Sequence, residues 1–84
     1  MTHHNQLQEA LETVRQAREA VEYAQTNMNS QNFQKAEQRL QLAEARVLNA
    51  RAYLEEFSEE QSLQLHRAEE LLVHLRNAQQ SIQQ

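Results

Sequence analysis

Between Phe33 and Phe57, large apolar residues recur in steps of seven, at Phe33, Leu40, Val47 and Leu54. A companion row three positions on reads Ala36, Ala43, Ala50 and finally Phe57. Alternating spacings of three and four place both rows on one stripe of a helix, as in a coiled coil, and such a stripe needs a partner to cover it. The first third of the chain follows the same rule. Leu7, Val14, Val21 and Met28 make its large row, and Ala10, Ala17 and Ala24 its alanine row.

The frame fails between the two stripes. Met28 to Phe33 is a step of five, which fits no helical register, and segment 26–32 holds three Asn, a Ser and a Thr. Their side chains compete with the helical backbone for hydrogen bonds. The chain is expected to reverse here, with Ser30 or Asn32 capping the second helix. In an antiparallel hairpin, the numbers of facing residues add to a constant. Ala24 with Ala36, Ala17 with Ala43 and Ala10 with Ala50 share one total. Met28 with Phe33, Val21 with Leu40, Val14 with Val47 and Leu7 with Leu54 share the next. Alanine opposite alanine allows helix axes to approach to about 8 Å, the near end of the usual range.

A second break is expected at 57–61. Ser58 and Gln61 have the spacing of a capping box, and Glu59 and Glu60 suit the positive start of a helix. The third stripe reads Leu65, Ala68, Leu72, Leu75 and Ile82, widened by Leu71 and Ala78. Set antiparallel to the second helix, it puts Leu72 opposite Ala43 and Leu75 opposite Leu40. The expected fold class is all-α, an antiparallel three-helix bundle built on an alanine-lined helical hairpin. Residues 1–84 form one helical domain, with helices at about 6–28, 33–57 and 59–81. Asn5 is the expected first cap, with Gln8 at the return position. In the alternative, the frame shift between the last two helices is absorbed as a stutter. Helices 2 and 3 are then continuous, and the chain pairs with a second one as a coiled-coil dimer. A weaker apolar row on the second helix, Leu42, Ala45, Leu48 and Ala52, marks where a third element or a second molecule would pack.

Composition agrees with helices joined by polar breaks: there is no Gly and no Pro, and fourteen Gln and twelve Glu fill the polar faces. The chain lacks cysteine, so it has neither disulfides nor a thiolate metal site. No apolar run approaches the ~20 residues that span a bilayer, and the start of the chain lacks the apolar stretch of a signal peptide. A cytoplasmic location without membrane contact is therefore expected. His3 and His4 are assigned to a frayed start. A formal charge of −4 offers no general attraction for nucleic acid.

Candidate chemistry is sparse. His66, Glu70 and His74 share one helix face, but two turns, about 11 Å of rise, separate the histidines. They cannot both reach one ion without ligands from elsewhere, though either could do so paired with Glu70; a solvated helix face is the expectation, with no metal or cofactor. Ser30, Ser58, Ser62 and Ser81 sit at breaks or near ends, where capping explains Ser58 better than nucleophilic catalysis does. Glu55–Glu56 and Glu69–Glu70 are adjacent pairs pointing apart, with no apolar pocket to raise a pKa. No enzyme activity and no small-molecule substrate are expected. The residues singled out for an interaction surface are Lys35, Arg39, Leu42 and Arg46, a basic stripe on the second helix, with Tyr23 and Tyr53, whose rings bring contact area at low entropy cost.

A helix end at Tyr53 and Leu54, the Ser58-Glu59-Glu60-Gln61 turn, and a terminal helix rich in Gln and Leu (Leu65, Leu72, Leu75, Ile82) resemble the small YtzC-like proteins of Bacillus-type bacteria. The resemblance is compositional and spans residues 50–82. It implies a small cytoplasmic helical protein and transfers no functional residue. The functional expectation is a protein–protein interaction, scaffold or regulatory module, with a protein partner or a second copy of itself. The alternative is weak nucleic-acid binding through the basic stripe.

Overall fold

The computed structural model describes residues 4–83, and they form a three-helix bundle. Helix α1 spans His4–Thr26, α2 Ser30–Arg51 and α3 Glu59–Gln83, with a single 3-10 turn at Leu54–Glu56 between the last two. His4 is the first residue of α1, so the helix begins one residue before Asn5, its expected cap. His3 lies outside the described residues.

The alanine hairpin forms as the heptad arithmetic requires. Ala10, Ala17 and Ala24 of α1 and Ala36, Ala43 and Ala50 of α2 are all fully buried. Leu7, Val14, Val21, Leu40 and Val47 are buried beside them. The antiparallel order is fixed by two side-chain contacts on the outer flank. Arg39 Nη1 donates to Gln16 Oε1 at 3.1 Å, and Arg46 Nε lies 4.0 Å from Glu9 Oε1. Seven residues forward on α2 correspond to seven residues back on α1.

The seam stops short of its expected ends. Met28 is 67% exposed, because α1 terminates at Thr26 and leaves Met28 in the connection. Phe33, its expected facing residue, is half-buried. Asn29, not Ser30 or Asn32, caps α2: its Oδ1 accepts from the Asn32 backbone N–H at 2.8 Å. The Asn32 side chain reaches back and donates to the Asn27 carbonyl at 2.7 Å, closing the reversal. Asparagine suits both roles, since it carries an acceptor and a donor on a short side chain.

Helix α2 ends at Arg51, six residues before the expected limit of 57. The backbone tightens to bonds over three residues, Ala52 N–H to Asn49 and Tyr53 N–H to Ala50. No Gly or Pro forces this. The 3-10 turn folds Phe57 back against the core, where it is half-buried, and leaves Leu54 out at 39% exposure. The capping box then starts α3. Ser58 Oγ accepts from the Gln61 N–H at 3.1 Å, and the Ser58 N–H donates to Gln61 Oε1 at 2.9 Å. Helices α2 and α3 are therefore separate rather than one rod.

Helix α3 buries Leu65, Ala68, Leu72 and Leu75 on the hairpin, with Leu71, Ala78 and Ile82 partly covered. Its stripe contains one further residue that the apolar pattern passes over. Gln79 stands at the heptad position between Leu75 and Ile82 and is only 1% exposed. Its Nε2 donates to the Phe33 carbonyl at 3.0 Å and to Glu37 Oε1 at 3.3 Å, while its Oε1 has no partner. A buried acceptor left unpaired costs about 1–3 kcal/mol. Gln79→Met, which keeps the shape and removes the orphaned oxygen, should raise stability by about 1 kcal/mol, a Tm gain of about 4–8 °C. A fall of that size would show that the Nε2 bonds outweigh the orphan.

Candidate functional site

Two hollows lie on opposite flanks of α2. The first lies between α1 and α2, encloses about 430 Å³ and is lined by Arg15, Gln16, Glu19, Tyr23, Lys35 and Arg39, among others. Three of the residues singled out from sequence, Tyr23, Lys35 and Arg39, meet here. Tyr23 is 59% exposed. The cations are largely engaged by neighbours. Arg15 is bonded to Glu12 and Glu19, and Arg39 to Gln16. The Arg15 hydrogen bond holds the Glu12 carboxyl below its ordinary pKa. Arg46 leans on Glu9. Leu42, 41% exposed, lines an adjoining shallow hollow with Lys35 and Arg39. Tyr53 is separate from all of these, half-buried in the connection after α2.

The second hollow lies between α2 and α3 and encloses about 340 Å³. Buried Val47 and Leu72 form its floor, and Leu48 and Val73 its walls, at 69% and 60% exposure. Leu48 belongs to the weaker apolar row, but that row does not act as one face. Leu42 and Leu48 are six residues apart, about 240° around the helix, so they fall on opposite flanks. Val73 was not singled out from sequence. Its signal is a shared pattern: Glu44, Leu48 and Arg51 on α2 repeat as Glu69, Val73 and Arg76 on α3, with identical spacing.

Because the helices are antiparallel, the two copies of that pattern close the hollow at both ends. Arg51 Nη1 donates to Glu69 Oε2 at 2.7 Å at one end. At the other, Arg76 Nη2 donates to Glu44 Oε1 at 2.9 Å. Arg76 also spans one heptad of α2, with Nη1 at 2.8 Å from Glu37 Oε1. Burial pushes the Glu37 carboxyl upward, but hydrogen bonds from Arg76, Gln41 and Gln79, with the Arg76 charge, outweigh it and hold the pKa below the ordinary carboxylate value. The Glu44 hydrogen bond leads the factors that raise the Arg76 pKa.

A carboxyl with a lowered folded-state pKa stabilises the fold fully above its unfolded pKa, about 4.3 for Glu. That contribution is lost as pH falls through the lower folded value. Glu37→Gln should therefore flatten the decline of Tm below about pH 5 relative to the parent chain. Parallel acid limbs for the two proteins would contradict this account.

On the outer face of α3, His66 Nε2 lies 3.2 Å from Glu70 Oε2, with both side chains largely exposed. Among the described residues, no three His, Cys, Asp or Glu side chains gather where they would hold one metal ion. No helix among them is long and apolar enough to cross a membrane. Neither a protein-family model nor a curated protein nor a solved structure matches this chain.

Proposed function

We propose that the chain is a small cytoplasmic helical module that works by protein contact, as a scaffold, adaptor or regulator, rather than by catalysis. The observation that carries this reading is the α2/α3 hollow. Its floor is continuous with the core, and two large aliphatic side chains stand over it at more than half exposure. An apolar centre rimmed by polar groups is the anatomy of a protein interface. Of the side chains weighed for catalysis, Ser58 caps α3, and His66 and Glu70 lie 3.2 Å apart on an exposed face. The cytoplasmic placement rests on the sequence alone.

Nucleic-acid binding through Lys35, Arg39 and Arg46 has less support. Arg39 and Arg46 lean on α1 side chains, and the chain as a whole carries −4. The test is a photo-crosslinking residue introduced at Leu48 in the source cell, with exposed Gln38, ten residues back and about 80° around α2, as control. A protein adduct at position 48 and none at 38 is the expected result. Absence of any protein adduct at 48 would overturn the reading.

A further inference from the structure

We infer that the α2/α3 face is a self-complementary surface that takes a second copy of this chain in a two-fold dimer. This rests on the protein-contact reading above and names the partner. In a two-fold interface the same patch meets itself, so each charge must arrive beside its opposite. The pattern around the hollow has that property. Place the axis across both helices at the level of Leu48 and Val73, which share one hollow. Each helix then runs antiparallel to its own copy. Leu48 meets the copy's Leu48, and Val73 the copy's Val73.

Glu44 precedes Leu48 by four residues and Arg51 follows it by three. Inversion about Leu48 therefore brings each Arg51 to the copy's Glu44. On α3, Glu69 and Arg76 flank Val73 at the same offsets, so each Arg76 arrives at the copy's Glu69 and Glu70. Around the axis, apolar groups meet apolar groups and each arginine meets a glutamate. The Arg51–Glu69 and Arg76–Glu44 pairs within one chain already hold these side chains at the rim, which reduces the entropy lost on docking.

Sedimentation equilibrium of the full chain, from about 1 µM to 1 mM, tests the inference. The expected mass is twice the 9.9 kDa of one chain. Leu48→Glu should halve it while the helical circular dichroism stays unchanged, since Leu48 is exposed. Arg51→Glu and Glu44→Arg should each weaken the dimer when alone. Their equimolar mixture should restore it, because each altered residue then meets its complement. A parent chain of single mass throughout overturns the inference, as does a dimer that Leu48→Glu leaves intact. A single mass together with a crosslink from position 48 to a different protein removes the second copy as partner and leaves the protein-contact reading standing.

Discussion

Truncating Leu40 to Ala should cost about 2–5 kcal/mol, read as a fall in Tm of roughly 10–30 °C. Leu40 is 0% exposed and sits where the large row of α2 faces both other helices. Removing three carbons there leaves a cavity that rigid neighbours on the alanine seam cannot collapse to fill. A domain of this length holds about 4–13 kcal/mol in total, so the variant approaches the limit of folding. Leu54→Ala supplies the contrast. Leu54 occupies the same heptad row two steps later, yet it is 39% exposed in the connection after α2. Its truncation should cost under about 1 kcal/mol. Chemical denaturation of both variants separates the row that exists in the fold from the row that exists only in the spacing; similar losses at the two positions would contradict the assignment.

The opposite change tests the alanine row. Ala43→Leu adds three carbons at a fully buried position facing α1 and should cost about 1–3 kcal/mol through overpacking. The same substitution at exposed Gln38 should leave stability within about 0.5 kcal/mol of the parent. The comparison holds helix propensity nearly constant, because leucine is a good helix former at either site. Equal, small effects at the two positions would mean that the hairpin is spaced wider than alanine contacts allow.

These two rows also mark how far the bundle can be read from sequence. Ala10, Ala17 and Ala24 against Ala36, Ala43 and Ala50 are legible because burial repeats at a fixed step, and a constant total identifies the reversal. The same step misleads once it runs past a helix end. Met28 and Leu54 keep the spacing, but α1 has stopped at Thr26 and α2 at Arg51, so neither has a groove to enter. The Ser58–Gln61 capping box was legible because it is local chemistry. The cap at Asn29 was not, because Asn27, Asn29, Ser30 and Asn32 offer competing acceptors within six residues and only the geometry of the reversal selects one.

The polar part of the α2/α3 contact was obscured for a different reason. A pattern of apolar residues cannot flag Gln79, although the spacing from Leu65 through Ile82 requires an inward residue there. Nor does it flag Arg76, whose partners Glu37 and Glu44 stand a heptad apart on another helix. Of the surface residues chosen from sequence, the structure gathers Tyr23, Lys35 and Arg39 in one hollow, sets Leu42 and Arg46 beside α2's outer flank, and leaves Tyr53 in the connection. Leu48 and Val73, on the opposite flank, become a pair only when α3 is docked.

The alanine seam has a consequence for the order in which the molecule assembles. Its two helices are joined by three residues, so bringing them together loses little chain entropy. Contacts between sequence neighbours of this kind nucleate quickly, on the microsecond to millisecond scale of helical proteins. Helix α3 has a longer connection to cross and an orphaned oxygen to bury, so it is expected to dock after the hairpin. Disturbance within the seam should consequently slow folding, whereas disturbance along α3 should chiefly hasten unfolding.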